Sequence, residues 1–364
     1  MPDSTQAGFR QWLSGTLGAP EGALSIQLIA GDASPRQYFR IRPASGHWSD
    51  IATALLSDLA GDGSVIGVTA PATENNEAFL HIQSVLQRAG LRVPRQFAAV
   101  LDHGWMLMED FGDDLLLPNL SDRTADSHYA RAIDAIARIS TIPLEQDTPR
   151  FDTARITEEL SVFPEWFLQR LLGFAQSDLP PQLFADLNAF LVDIFTSQLQ
   201  CLVHRDFHSR NLMCLPGGEL GVIDFQDAVI GPVTYDPVSL LKDCYVRWPR
   251  ADQLRWLEMF RCREVELGLP MPAPDRFVRD FDLVGLQRHL RVLGVFARLH
   301  LRDGKSGYLD DLPLVLHYTR EALTLYQTEP AIGPFASWFE SDVMPRVAAQ
   351  RWYTSATSDS EIDP

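Results

Sequence analysis

The chain has 364 residues, with 48 acidic and 31 basic side chains, a net charge of −17, 46% hydrophobic and 22% charged residues. That mix excludes an intrinsically disordered chain, and the surplus of carboxylates argues against a nucleic-acid partner, whose phosphates select the opposite charge. No run approaches the roughly 18 uncharged apolar residues that would cross a bilayer, and Met1–Gln6 has neither a basic nor an apolar leader region, so a cytoplasmic monomer with no membrane contact is expected.

In chain order, Leu24 to Ala30 and Gln37 to Arg42 read as a hairpin around the polar turn Gly31-Asp32-Ala33-Ser34-Pro35. Residues 43–63 form an excursion with a short helix around Ile51 to Leu59, and Val65 to Thr69 is a third strand. Asn75 to Ala89 has helical spacing, with Phe79, Ile82 and Leu86 on one stripe and Gly90 as the stop. Strands follow at Phe97 to Leu101 and Trp105 to Glu109. Beyond Asp110-Phe111-Gly112-Asp113-Asp114 helical patterns dominate, at 122–140, 154–173, 182–200, 236–247, 252–267, 276–302, 309–327 and 335–349. One strand-rich insert interrupts them at 201–224, and the polar tail from Thr354 to Pro364 is expected to fray.

That insert carries the chemistry. Leu202-Val203-His204-Arg205-Asp206-Phe207-His208-Ser209-Arg210-Asn211 fits the pattern H-R-D-x-x-x-x-N, and Ile223-Asp224-Phe225-Gln226 stands where kinases have D-F-G. Phosphoryl transfer is mostly positioning and charge neutralisation, so it needs a carboxylate at the acceptor hydroxyl and oxygen ligands for magnesium beside the triphosphate. A turn aims Asp206 at the acceptor and Asn211 at the metal, and a hairpin around Pro216-Gly217-Gly218 carries Asp224 back beside Asn211. Asp206 is therefore assigned to orient the hydroxyl, Asn211 and Asp224 to hold magnesium, and His204 to brace the loop. The four cysteines show no metal spacing and read as reduced thiols in or near the core.

The segment from His204 to Asp224 resembles the aminoglycoside phosphotransferase and choline kinase superfamily, within it the bacterial kinases of the anomeric hydroxyl of N-acetylmuramate and N-acetylglucosamine. The subfamily resemblance rests on Gly31-Asp32-Ala33-Ser34-Pro35-Arg36-Gln37-Tyr38-Phe39-Arg40, Phe163-Pro164-Glu165-Trp166-Phe167, Leu240 to Tyr245, and Gln287 to Leu299 with Arg302-Asp303-Gly304-Lys305. It implies an α+β, bilobal, protein-kinase-like fold with a small β-rich first lobe (1–109), a hinge (110–114), a larger helical second lobe (115–353) and a flexible tail (354–364). It also implies ATP and Mg2+ as cofactors and a sugar as acceptor. The nucleotide would lie at Ser34 and Arg36, with adenine on the backbone at Glu109 to Phe111, and Asp236 would anchor the catalytic loop from a helix start.

The pattern departs at one point. A third-strand lysine, paired with a helix glutamate, usually holds the α- and β-phosphates, but the only lysines are Lys242 and Lys305. Glu77 is the candidate helix partner, and either Arg36 or Arg40 replaces the lysine or the chain is a silent nucleotide-binding scaffold. Gly61-Asp62-Gly63-Ser64-Val65-Ile66-Gly67 precedes a strand instead of a helix, and Gly304-Lys305-Ser306 lacks the first P-loop glycine, so neither is a phosphate motif.

For the acceptor, His208, Arg210, Glu165, Trp166, Asp243 and Tyr245 are candidates, the last four also readable as core or support. Arg288, Arg291, Arg298 and Arg302 fall within about 80° of one another around a helix. Such a face suits an anion such as a carboxylate, or else pairs with the chain's own acids. A cationic aminoglycoside remains the alternative acceptor.

Overall fold

The computed structural model describes residues 3–20, 22–29, 36–56, 63–71 and 73–353. Ser34 with its turn, the end of the 51–59 helix and the 354–364 tail lie outside them. The chain divides into two compact units, residues 1–119 with 210–226, and 120–209 with 227–364. The dividing line runs inside the catalytic loop, between Ser209 and Arg210, and it groups the 210–226 hairpin with the first unit instead of with the helical part.

In the first unit α1 (Asp3–Thr16) precedes β1 (Leu24–Leu28), β2 (Gln37–Pro43), α2 (Asp50–Leu55), β3 (Val65–Thr69), α3 (Asn76–Arg88), β4 (Gln96–Val100) and β5 (Trp105–Glu109). The strands form one antiparallel sheet in the order β1-β2-β3-β5-β4. α1 had no counterpart among the sequence expectations. Its Phe9 and Leu13, with Leu17 just past its end, join Phe39, Ile41, Val65 and Leu107 in one core. The packing is close enough that a Cβ on Gly67 of β3 would stand 2.6 Å from the Ile41 Cδ1 and 2.9 Å from the tip of the Phe9 ring, so any side chain there would push both aside. α3 starts where the Asn75 side chain accepts the Ala78 N–H at 3.0 Å, and it buries Phe79, Ile82 and Leu86 as its spacing dictates.

The hairpin β7 (Leu212–Cys214) and β8 (Leu220–Val222) is tied into this unit by backbone bonds from Leu116 to Leu212, Cys214 to Asp114 and Val222 to Arg92, each 2.8 Å. These bonds are the physical reason it is grouped there.

The second unit is helical: α4 (Ala125–Ser140), α5 (Thr153–Val162), α6 (Pro181–Thr196), α7 (Tyr235–Leu241), α8 (Arg250–Glu266), α9 (Pro274–Asp303), α10 (Tyr308–Leu325), α11 (Gly333–Trp338) and α12 (Met344–Ala348). A two-stranded ladder of β6 (Gln200–Val203) and β9 (Val229–Pro232) lies among them. α9 is the hub, and Leu283, Leu286, Leu290, Leu293 and Ala297 are all buried along it. At Gly294 a Cβ would meet the Val162 carbonyl at 2.4 Å, so glycine lets α9 approach the end of α5.

Four helices differ appreciably from their expected extents: the 182–200 stretch ends as helix at Thr196, because Gln200 already pairs in β6. The 154–173 stretch is α5 followed by a π-helical stretch, Phe163–Leu171, because Pro164 has no N–H for the ladder and its ring crowds the preceding turn. The 236–247 helix stops at Leu241, where Asp243 turns to the catalytic loop. The 335–349 stretch is α11, a π-helical turn at Phe339–Val343, and α12, which begins at Pro345's turn. Of the cysteines, Cys201 and Cys244 are buried, whereas Cys262 is exposed on α8.

Candidate active site

β6 delivers His204, Arg205 and Asp206 from a buried strand. The turn after it is pinned by Asp236 at the start of α7, whose two oxygens accept the backbone N–H of His204 at 2.7 Å and of Arg205 at 2.9 Å. Burial pushes the Asp236 carboxyl up to about 7 against the pull of those two N–H groups, with Asp206 adding to the rise. Arg205 has φ 76, and Asp224 has φ 64, the two non-glycine residues with positive φ among those described. Such strain costs about 1–3 kcal/mol per residue and persists only where surroundings enforce it. For Arg205 the enforcing contacts are Asp236, the Ser239 hydroxyl on its carbonyl at 3.0 Å, and Glu159 on its guanidinium at 2.6 Å.

Asp206 is half-buried. Burial acts to raise its pKa, but the charges of Arg291, His208, Arg205 and Arg288 together outweigh it and hold the carboxyl at about 2. It is ionised throughout the physiological range and accepts hydrogen bonds without holding a proton. The loop continues through Ser209, whose N–H and hydroxyl both donate to Asp243 at 2.9 and 2.5 Å. Asp243 is buried, and its other oxygen accepts the Tyr245 N–H at 3.1 Å. The structure thus places this acceptor candidate under the loop as a brace. His208 meets Tyr245 edge-on, with centroids 5.4 Å apart. His204 is buried with its ring edge-on to Phe207.

On the hairpin of the first unit, the Asn211 amide donates to Asp224 at 3.3 Å, and the Gln226 amide donates to the other Asp224 oxygen at 2.8 Å. Phe225 packs on Phe79 of α3, with centroids 5.1 Å apart. Over the same Phe79 ring, 5.3 Å away, lies the guanidinium of Arg36, which pairs with Glu74 at 3.0 Å. Tyr38 feels the charges of Asp224, Arg36 and Glu74 together, and its hydroxyl is pushed up to about 12, mostly by burial. Glu77, the expected partner, is exposed; Glu74, in the turn ahead of α3, takes that place. Arg40 is spoken for: it clasps Asp110 at 2.5 and 3.0 Å and Asp113 at 2.6 Å, with the Ser64 hydroxyl also on Asp110 at 2.6 Å. β3 brings no cation. Glu109 is buried and turned away to Arg92 and to the Arg95 N–H, and Arg92 stacks on Phe111 at 4.8 Å.

Glu165 and Trp166 are occupied with Arg170, which pairs with the acid at 2.9 Å and covers the indole at 4.1 Å. Arg210 is half-buried on the hairpin side of the loop. Sequence reasoning missed Glu74, Glu159, Gln226 and Ser239. Glu159 reads in sequence as half of an ordinary surface pair with Arg155, and nothing local signals that it meets Arg205.

Among the described residues no group of three or more His, Cys, Asp or Glu side chains could hold a metal alone. Magnesium suits Asn211 and Asp224 on different terms, since it takes one or two protein oxygens and completes its shell with phosphate and water.

The sequence matches the phosphotransferase enzyme family over residues 25–266. The chain belongs to that family. It is a phosphotransferase to an alcohol group, and it uses a nucleotide. It is 37% identical over 305 residues to the N-acetylmuramate/N-acetylglucosamine kinase of Pseudomonas putida, covering 84% of each chain. Against the kinase of the same name from Neisseria meningitidis it is 33% identical over 327 residues, covering 88% of this chain and 92% of the other. Among solved structures it resembles a choline kinase from Cryptosporidium parvum, with TM-score 0.60, 9% identity, and 93% and 100% of the two chains covered. An ADP-bound aminoglycoside phosphotransferase gives TM-score 0.53 at 13% identity, covering 87% of this chain and 98% of the other. The fold of this phosphotransferase is accordingly protein-kinase-like, with an antiparallel sheet first and helices after.

Proposed function

We propose that this phosphotransferase is an ATP- and magnesium-dependent kinase of N-acetylmuramate and N-acetylglucosamine, acting on the anomeric hydroxyl to give the sugar 1-phosphate. It works as a cytoplasmic monomer in the reuse of cell-wall sugars. The observation that carries the chemistry is Asp206, kept ionised at about 2 on a loop clamped by Asp236 and Asp243. The relatives' acceptors, at 33–37% identity over most of the chain, support the sugar.

Asp206 accepts the hydrogen bond of the acceptor hydroxyl and orients its lone pair in line with the γ-phosphorus. As the new O–P bond forms, the bond from the γ-phosphorus to the β-bridging oxygen breaks, and ADP leaves with that electron pair. So weak a base takes the hydroxyl proton late, which suits a loose transition state. Asn211 and Asp224 would hold magnesium, which when bound neutralises charge on the β- and γ-phosphates. Arg36, kept in place by Glu74 and Phe79, supplies the cation that β3 lacks.

Phosphorus NMR of the protein with Mg-ATP and N-acetylmuramate, N-acetylglucosamine or kanamycin tests this reading, with Asp206→Ala alongside. The expected result is an anomeric phosphate signal with the two amino sugars, reduced by about two to four orders of magnitude in rate in the variant. Phosphate on kanamycin alone would make it an aminoglycoside kinase, and nucleotide binding without any turnover would make it a scaffold.

A further inference from the structure

α9 carries Arg288, Arg291, Arg298 and Arg302 three, seven and four residues apart, which stacks them along one line of the helix. Their partners differ. Arg302 holds its neighbour Asp303 at 2.7 and 2.9 Å, and Arg291 faces Glu159 at 3.5 Å. Among the described residues neither Arg288 nor Arg298 has a carboxylate within ion-pairing distance, and the Nε of each is buried without a hydrogen-bond partner. Arg288 is only 2% exposed, and its one hydrogen bond is from Nη1 to the Cys244 sulfur at 3.5 Å.

A guanidinium nitrogen shielded from water with no acceptor is costly, because nothing replaces the water it gave up; Arg288 is buried whole, and Arg298 is half-buried with its Nε covered. Scarcity of acids does not explain it, since the chain has 48 of them against 31 cations. The row is also internally repulsive. Burial, Arg302 and Arg291 all lower the Arg298 pKa, while Asp303 and Glu165 act on it from beyond pairing distance. One end of the row is at the reaction centre, where Arg288 and Arg291 act on Asp206. From Arg291 to Arg298 is two turns, about 10 Å along the axis, the span of a hexose with one substituent.

We propose that the inner part of this row is the acceptor's anion site: Arg298, with Arg291 behind it and Arg302 kept out by its pairing with Asp303, takes a carboxylate carried by the sugar whose hydroxyl lies at Asp206. The inference rests on Asp206 as the catalytic residue and adds the specificity. The enzyme distinguishes a carboxylate-bearing amino sugar from a neutral one by filling the empty fork of a guanidinium. Glu165, already paired with Arg170, shields the row without closing it.

The test is the ratio of kcat/KM for N-acetylmuramate to that for N-acetylglucosamine, in wild type, Arg298→Gln and Arg302→Gln. Loss of one charge-assisted hydrogen bond predicts a fall in that ratio of about 10- to 100-fold in Arg298→Gln. In Arg302→Gln, an exposed residue paired with its neighbour, the ratio stays where it was. Added salt should lower the wild-type ratio as well, because only one of the two sugars is charged. If Arg298→Gln does not fold, Arg298→Lys keeps the charge without the fork and predicts a smaller fall. An unchanged ratio in the Arg298 variant, with both sugars turned over, overturns the anion site alone. Wild-type protein that phosphorylates neither sugar overturns the acceptor reading and the anion site with it.

Discussion

At the scale of single residues the site works by confinement. Arg205 and Asp224 are held at backbone angles that L-residues avoid, and both lie next to or among the groups assigned to catalysis. β3 has no lysine, and on the neighbouring strand's approach Arg36 pairs with Glu74 and lies over Phe79. A guanidinium binds phosphate oxygens in pairs where an ammonium acts as a point charge, so the proposed role of Arg36 is chemically sound. Arg36→Ala should raise the KM for ATP by about 10- to 100-fold with a smaller change in the KM for sugar. Steady-state kinetics with each substrate varied in turn measures this, and an unaltered KM for ATP would remove Arg36 from the nucleotide site.

Between elements, buried polar contacts set register where apolar packing alone would let helices slide. Glu264 of α8 accepts the Ser140 hydroxyl of α4 at 2.6 Å, while its second oxygen has no partner. Burial pushes its carboxyl from an ordinary 4.5 up to about 7, against the Ser140 bond and Arg263. A folded-state pKa raised in this way means the folded protein keeps a proton that the unfolded chain loses. The associated stability is fully present below about pH 4.5 and is lost as pH rises through about 7, in total about 3 kcal/mol. Glu264→Gln removes the titration. In urea unfolding the variant should gain on the wild type between pH 5 and pH 8 by up to that amount, and a constant difference between the two would place the ionisation elsewhere.

At the scale of the whole molecule, a buried ionic knot in the helical unit begins at Lys242, the residue before the Asp243 that braces the catalytic loop. Lys242, only 1% exposed, meets Asp282 of α9 at 2.9 Å and Glu321 of α10 at 3.1 Å. Arg250 of α8 and the Tyr326 hydroxyl complete the shell of Asp282, at 2.6 and 2.8 Å. Three helices and the segment after α7 are thereby joined through one carboxylate. Removing one member leaves the others desolvated and short of charge, so Lys242→Met should cost about 3 kcal/mol or more in urea unfolding. Adding Asp282→Leu should restore part of the loss. A single variant as stable as wild type would mean that the knot contributes register without stability.

The loop and hairpin proposed to carry the chemistry were legible as structure, because the pattern that singles out Asp206, Asn211 and Asp224 sits at short, nearly fixed separations along the chain. The helices were legible wherever an apolar stripe repeats, as in α3 and α9, and the third-strand cation was legible by its absence. Other features depended on contacts between residues far apart in sequence. α1 was not anticipated because its value lies in the face it covers, where Gly67 makes room for Phe9. The helix at 154–173 widened at Pro164, and the one at 236–247 stopped so that Asp243 could reach Ser209. Sequence spacing put four arginines on one face of α9 but left open whether acids met them. Only the tertiary structure settled that Arg291 and Arg302 are paired and that Arg288 and Arg298 are not, because a guanidinium's partner is decided by which helix packs opposite it.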